Sequence, residues 1–221
     1  MGRFIRTWAV LYSTFRRRPA RDRIHTLVRF LTCPFLRVIE RVPTGSRLLD
    51  IGAGHGVLAV LARERGARVT TVEPDARKVR PLPSISAVIG FDDVVRGRFD
   101  VITIVDVLYK LPLADWDPLL ARCLSRLLPG GVLLIKEQDP TARVKNAWNR
   151  AQERGASLLG LTLGEAFSYE APTAFAARLA RHGFTATWKR IDGGYPHPHV
   201  LYEGRRAGFP PASGLASRPA D

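Results

Sequence analysis

Residues 48–56 read LLDIGAGHG and limit the fold of this chain more than any other segment. An apolar run ends in Asp50, and Gly52, Gly54 and Gly56 follow at alternate positions, ahead of apolar residues at helical spacing. Glycines there let the backbone turn tightly and approach a ligand without a Cβ clash, and the next helix N terminus presents free amide groups. The segment predicts a strand, a turn and a helix, with a nucleotide-like cofactor against the turn.

Short apolar runs alternate with amphipathic stretches from residue 47 onward, which is typical of a parallel sheet with crossover helices. The predicted strands are 47–51, 67–74, 85–89, 99–107, 132–137, 185–191 and 199–203. The predicted helices are 57–65, 115–128, 141–154 and 172–182, and the turn 129–131 caps the second of them. Because residues 193–198 are typical of a hairpin connection, we predict an α/β, doubly wound, seven-stranded sheet, mostly parallel, whose last strand is antiparallel.

The N-terminal residues 1–41 form a separate, strongly basic segment with ten arginines against Asp22 and Glu40. Apolar and aromatic residues recur there at helical spacing: Phe4, Ile5, Trp8, Leu11, Tyr12 and Phe15. This pattern predicts a first helix that ends at the sequence RRRP, and a second helix over 21–40 with a kink at Pro34. We therefore predict a helical cap over 1–41, a main domain over 42–206, and a disordered tail over 207–221 that is rich in proline, glycine, alanine and serine.

Bulk composition gives weaker information about partners and compartment. Arginines interrupt every apolar stretch near the N terminus, and no signal-peptide pattern is present, so we expect a cytoplasmic protein. The net charge is +14, but only five of the 34 basic residues are lysines. The excess of arginine can therefore reflect either binding to a polyanion or a biased amino-acid composition, and it discriminates poorly between the two. The two cysteines, Cys33 and Cys123, lack metal-ligand spacing and are expected to be buried thiols.

The spacing of the glycines separates two kinds of cofactor site. A dinucleotide site requires a third glycine where this chain has Val57. The sequence LLDIGAGHG instead resembles motif I of class I S-adenosylmethionine-dependent methyltransferases. The resemblance extends over about residues 47–203 and implies a Rossmann-like fold with S-adenosylmethionine as cofactor. It also implies that the cofactor lies against Asp50, Gly52, Ala53, Gly54 and Gly56.

Two further acidic sites fit this resemblance. Glu73 ends the second predicted strand, next to Pro74, and a carboxylate there can accept hydrogen bonds from both ribose hydroxyls. In the segment GFDD over 90–93, the family usually has an acid that binds the adenine amino group, and either Asp92 or Asp93 fits that position.

Residues that follow the fourth strand are the candidates for the acceptor side. The segment 99–112 resembles motif IV, and 127–137 resembles the family's fifth-strand segment. Since residues after strand four face the transferred methyl group in the family, Asp106, which also borders the cofactor, and Tyr109 are candidates to orient or deprotonate a hydroxyl, with Lys110 close by. Alternatively, Tyr109 only packs and Lys110 is solvated. His55 in the glycine turn is a third catalytic candidate, but its position in a loop also suits a histidine bonded to the backbone, and this alternative is favoured. The other candidate bases are Glu137, His182, His197 and His199.

Several patterns are missing. His197 and His199 share a strand face, but no third ligand is evident, so we predict no metal. The Asn-Pro-Pro-Tyr type of motif of base N-methyltransferases is replaced by Asp106-Val107-Leu108-Tyr109, and neither cysteine follows a proline, so DNA modification is disfavoured.

The resulting hypothesis is a methyltransferase that acts on a small, hydrophobic or lipid-like acceptor, with oxygen favoured over nitrogen or carbon. The N-terminal helices are expected to cover the acceptor pocket. A second use for them is contact of residues 1–18 with an anionic membrane at its inner face, and nucleic acid is disfavoured as a partner. The alternatives are an NAD-dependent reductase, and a non-catalytic membrane- or nucleic-acid-associated protein with the same fold.

Overall fold

A seven-stranded mixed sheet forms the centre of the molecule. The computed structural model describes residues 2–79, 82, 85–88, 97–142 and 168–206. The strands are β1 Arg47–Ile51, β2 Arg68–Val72, β3 Ser86–Val88, β4 Phe99–Val105, β5 Leu127–Gln138, β6 Phe184–Arg190 and β7 His199–Arg206. Their order is β3-β2-β1-β4-β5-β7-β6. The first five are parallel, and β7 is antiparallel to both β5 and β6, which confirms the predicted fold class.

Helices cover both faces of this sheet. They are α1 Gly2–Phe15, α2 Ala20–Thr32, α3 Phe35–Ile39, α4 Val57–Glu64, α5 Ala76–Val79, α6 Leu113–Arg126 and α7 Pro172–Arg181, with a 3-10 turn at Leu108–Lys110. Among the described parts of the chain, no helix is both long and apolar enough to cross a membrane.

Each face of the sheet has its own apolar core because successive strand residues point to opposite sides. On β5, Val132 and Leu134 pack in a cluster with residues of α1 to α4. Leu133 and Ile135 pack in a second cluster with residues of α6 and α7. The N-terminal helices therefore share a core with the first face of the sheet, and Cys33 and Cys123 are buried free thiols, one in each cluster.

The predicted single helix over 21–40 is wrong, because the structure contains two helices there. Helix α2 ends at Thr32, and Cys33 is extended with φ −110° and ψ 132°. A residue that precedes proline avoids the helical conformation, so Pro34 breaks the helix instead of only bending it. Helix α3 then turns Val38 and Ile39 into the core, where both are buried.

The predicted turn at 129–131 lies inside β5, which begins at Leu127 and not at Val132 as predicted. Phe99 of β4 pairs with Leu127, and pairing resumes with Val101 opposite Val132, so residues 128–131 leave the pairing and form a bulge. Gly130 allows it with a φ of 74°. The bulge thus stands where the local sequence favours a turn.

The remaining boundaries differ from the predictions by a few residues at most where the structure describes them. The predicted helix over 141–154 lies outside the described residues from 143 onward. The last residue of the predicted strand 85–89 and the tail over 207–221 also lie outside them.

The packing of α2 makes a direct prediction about stability. Phe30 is 4% exposed and Val28 is 50% exposed on the same helix. We expect Phe30→Ala to lower the free energy of unfolding by about 3–5 kcal/mol, because it leaves a cavity in the core. Val28→Ala should change it by no more than about 0.5 kcal/mol. Urea denaturation followed by circular dichroism measures both; equal losses would contradict the docking of α2.

Candidate functional site

Four buried carboxylates lie at the carboxyl ends of four neighbouring parallel strands. They are Glu73 just after β2, Asp50 near the end of β1, Asp106 just after β4 and Glu137 near the end of β5. None of them is more than 8% exposed. Parallel strands end at the same sheet edge, so the four side chains form one row in the order β2-β1-β4-β5. We refer to these four side chains as the carboxylate row. Ligands of open α/β sheets bind at this edge.

The glycine turn lies close against the loop that follows β4. Gly52 has a φ of 69°, and its N–H donates to the carbonyl of Val72 over 2.7 Å. A Cβ at Gly52 would overlap the side chain of Val107. Gly54, by contrast, has open space on the side where its Cβ would point. The turn is thus tightly packed at its first glycine and accessible at its second.

Asp50 has one occupied and one available carboxylate oxygen. Its Oδ1 accepts from the Thr103 hydroxyl over 2.8 Å, and its buried Oδ2 has no hydrogen-bond partner among the described residues. Burial raises the pKa of Asp50 to about 7, against the opposing effect of the Thr103 hydrogen bond. A buried oxygen without a partner is costly unless a ligand or water donates to it.

Glu73 connects the end of β2 to the glycine turn. Its Oε2 accepts from the Gly54 N–H over 2.8 Å, and its Oε1 accepts from the Asp75 N–H over 3.2 Å. Lys78 places its ammonium 3.7 Å from Oε1. Each carboxylate oxygen has a second lone pair, so the side chain can still accept from two ligand hydroxyls. Pro74 beside it is exposed.

Asp106 lies between two cationic side chains, neither of which was predicted from the sequence to belong to the site. Its Oδ2 accepts from Arg29 Nη1 of α2 over 2.6 Å, and its Oδ1 accepts from Nζ of Lys136, which is fully buried on β5. Burial alone would raise the pKa of Asp106, but the charges of Lys136 and Arg29 outweigh it and hold the pKa well below the usual range. Both oxygens are therefore engaged.

Asp106 also has an unusual backbone. Its φ of 56° is the only positive value for a non-glycine residue in the described ranges. Such a conformation is sparsely populated and persists only where surrounding contacts hold it. The two ion pairs and the hydrogen bond from its N–H to the Lys136 carbonyl supply those contacts.

Glu137 faces the opposite side of the sheet and fixes the same loop. Its Oε1 accepts from the N–H groups of Val107 over 3.0 Å and Leu108 over 2.8 Å. Its Oε2 is buried without a partner in the described part of the chain. Burial, assisted by the charge of Asp106, raises the pKa of Glu137 to about 8. Glu137 and Tyr109 both line a narrow cavity on this side.

Tyr109 and His55 occupy different places around this edge. The Tyr109 ring stacks on Tyr169 at a centroid distance of 5.9 Å, and burial raises the pKa of its hydroxyl, so it stays protonated. His55 Nε2 lies 3.6 Å from Asp22 Oδ1, and its ring is 4.8 Å from the ring of His25. Burial lowers the pKa of His55, which favours a neutral ring near pH 7.

The other predicted histidines have structural contacts. His199 donates from Nε2 to the Thr32 carbonyl over 2.8 Å, and burial lowers its pKa to about 3. His182 lies 2.9 Å from Asp117, on the far side of the sheet from His55. Within the described residues no group of three or more potential ligands is arranged to hold a metal. Asp92 and Asp93 lie outside the described residues.

Comparison with known proteins identifies the family of this chain. Residues 12–187 match a family model described as "Methyltransferase domain". A ubiquinone biosynthesis O-methyltransferase of Xanthomonas axonopodis pv. citri is 32% identical over 111 residues, which cover 45% of this chain and 46% of the relative. The matched region thus spans about half the length of such curated relatives.

Solved structures share the fold at low sequence identity. A putative methyltransferase of Haloferax volcanii, solved with the activator Trm112, superposes with a TM-score of 0.67 at 16% identity, covering 90% of this chain and 99% of that one. Magnesium protoporphyrin IX methyltransferase of Synechocystis PCC 6803, with bound S-adenosylhomocysteine, gives 0.59 at 16% identity, covering 91% and 94%. Because the family model spans most of the sequence and the sheet order matches the expected fold, this chain belongs to the class I S-adenosylmethionine-dependent methyltransferase family.

Proposed function

We propose that this chain transfers the methyl group of S-adenosylmethionine to an oxygen of a small, hydrophobic or lipid-like acceptor. The observation that carries the proposal is the carboxylate row, with the glycine turn between its first two members. The residues proposed to bind the cofactor and those proposed to face the acceptor thus lie at one sheet edge.

The residues present fit the cofactor. Glu73 would hold the ribose hydroxyls, and the turn over 52–56, including Ala53, would lie against the amino acid part and the ribose. The unpartnered Oδ2 of Asp50 and the open space beside Gly54 support this assignment. Pro74 would border the ribose, and Asp92 or Asp93 remains the proposed partner of the adenine amino group. When bound, S-adenosylmethionine supplies an electrophilic methyl group on a sulfonium with a neutral leaving group.

The residues after β4 would position the acceptor. Arg29 and Lys136 hold Asp106 from one side of the sheet, and Glu137 holds the backbone of Val107 and Leu108 from the other. A loop fixed from both sides keeps reacting groups in line, and such positioning can supply much of the rate increase in a methyl transfer.

Three residues remain proposed for proton handling. Asp106 has both oxygens occupied by cations, which favours an orienting role over proton acceptance. Tyr109 stays protonated and suits hydrogen bonding to an acceptor oxygen. His55 can accept a proton, because its lowered pKa keeps the ring neutral and its Nδ1 has no partner among the described residues.

The nature of the acceptor rests on two supports. Relatives such as that of Xanthomonas axonopodis pv. citri are named O-methyltransferases, which favours oxygen as the methylated atom. Residues 1–41 bring apolar side chains to the same side of the sheet as Asp106, and we propose that they act as a cap over the domain 42–206. Contact of residues 1–18 with an anionic membrane is part of the same proposal.

The cofactor assignment is tested by isothermal titration calorimetry with S-adenosylmethionine and S-adenosylhomocysteine. We expect both to bind the wild-type chain, NADH not to bind, and Glu73→Ala to abolish binding because the ribose hydroxyls lose their acceptor. Glu64→Ala is the matched control, since Glu64 is exposed and pairs only with its neighbour Arg63. NADH binding, or full affinity in Glu73→Ala, would overturn the assignment.

The glycine turn allows a second, sharper comparison. Gly52 and Gly45 have similar φ values of 69° and 77°, but only at Gly52 would a Cβ meet another side chain. In both alanine variants the left-handed backbone lowers the free energy of unfolding by about 1–2 kcal/mol. We expect Gly52→Ala to weaken S-adenosylhomocysteine binding at least about tenfold, since Val107 must move, and Gly45→Ala to leave binding unchanged. Equal affinities would show that the contact with Val107 is unimportant for the site.

The acceptor is tested by incubating the chain with S-adenosylmethionine and three groups of compounds, and measuring S-adenosylhomocysteine release. Hydrophobic phenols represent the proposed class, water-soluble catechols test the need for an apolar body, and hydrophobic amines test the choice of oxygen. We expect turnover of the hydrophobic phenols, with the methyl group located on oxygen by mass spectrometry. Turnover of amines alone would refute oxygen, and preference for catechols would refute a lipid-like acceptor.

A further inference from the structure

An apolar groove of about 300 Å³ lies between α1 and α2. Leu11, Phe15 and Phe30 are buried at its base, and Trp8, Tyr12 and Ile24 are accessible along its sides. We call this feature the α1–α2 groove. It contains none of the carboxylate row, so it is separate from the proposed methyl-transfer site.

Exposed apolar side chains are concentrated around the groove. Among the described residues, eight large hydrophobic side chains are exposed, and five of them are Trp8, Tyr12, Ile24, Val28 and Leu31 of α1 and α2. On α2 the three exposed residues recur at helical spacing, so they form one stripe. Single exposed apolar residues are ordinary, whereas a contiguous set beside a groove marks a binding surface.

The charges around the groove are almost all positive. Arg16 and Arg23 line it, Arg6 and Arg21 lie on the same two helices, and Arg17 lies in the connection between them. The structure gives none of these five arginines an acidic partner within its described ranges. Asp22, the one acid between residues 2 and 32, is directed to His55. The surface thus combines accessible apolar side chains with unneutralised positive charge.

We propose that the α1–α2 groove takes an acyl chain of an anionic phospholipid and so docks this protein on an anionic membrane surface. The apolar groove accommodates part of the chain, and the arginines attract the phosphate headgroups, as in other interfacial basic helices. The same charges oppose a second copy as the occupant, because two such faces would repel each other.

Docking at this surface would bring the membrane close to the methyl-transfer site. Helix α2 carries Ile24 and Val28 outward, while its Arg29 contacts Asp106 on the inner side. A lipid-like acceptor could then pass from the bilayer along α2 to the carboxylate row. The docking deepens the membrane contact of the proposed function, and this last step rests in addition on the proposed acceptor.

The docking is tested by sedimentation of the full chain with sucrose-loaded vesicles, without cofactor or acceptor. We expect binding to phosphatidylcholine vesicles that contain phosphatidylglycerol, weak binding to phosphatidylcholine alone, and weaker binding in high salt. Ile24→Glu should reduce the partition coefficient at least about tenfold, which is about 1.4 kcal/mol. The matched control is Leu113→Glu, because Leu113 is 47% exposed at the start of α6, away from the groove.

Insertion of an acyl chain is tested by quenching of tryptophan fluorescence with brominated phosphatidylglycerol. We expect quenching that Trp8→Phe removes and Trp188→Phe retains, since Trp188 is exposed to a similar degree, 39% against 36%, but lies on β6. Equal binding to neutral and anionic vesicles, or unchanged binding of Ile24→Glu, would overturn the proposal. So would a dimer in solution that Ile24→Glu dissociates without vesicle binding, because a second copy would then occupy the groove. Since no methyl transfer is measured, these outcomes are independent of the acceptor experiment.

Discussion

The paired charges of Arg29, Asp106 and Lys136 connect three parts of the molecule that are distant in sequence. They join α2 to the carboxyl ends of the neighbouring strands β4 and β5. Taking a carboxylate and an ammonium out of water is costly, and only close pairing compensates for it. Loss of Asp106 would leave Arg29 and Lys136 without the acid that pairs them, so the position of α2 and of the loop after β4 depends on this carboxylate.

Local sequence was sufficient to place the glycine turn and Glu73 at the ends of their strands. The glycine turn follows a strand directly, and Glu73 ends the next strand, so each lies where short-range rules put it. The structure accordingly brings Glu73 within hydrogen-bond distance of Gly54. The seven-strand pattern was predictable for the same reason, because alternation between strands and helices is visible in each segment.

The acceptor side depends on contacts between distant residues, which spacing does not reveal. Arg29 is one of ten arginines in the N-terminal segment, and nothing in the sequence distinguishes it from its neighbours. Lys136 did carry a signal, since a lysine in the otherwise apolar run VLLIKE must either be exposed or find an acid. The bulge at Gly130 was missed because the hydrogen bonds of β4 extend the strand through a sequence that favours a turn.

Two carboxyl groups of the carboxylate row are partly protonated near neutral pH. Asp50 and Glu137 have folded pKa values of about 7 and about 8, above the ordinary values of 3.8 and 4.5. The folded state therefore binds these protons more tightly than the unfolded chain, so their contribution to stability is complete only below the ordinary pKa values of 3.8 and 4.5 and is lost as the pH rises from there through 7 and 8. Asp106 behaves oppositely, because its lowered pKa favours folding until the medium becomes strongly acidic. One edge of the sheet thus contains charges with opposing responses to pH, and the net charge offered to a cationic cofactor varies within the physiological range.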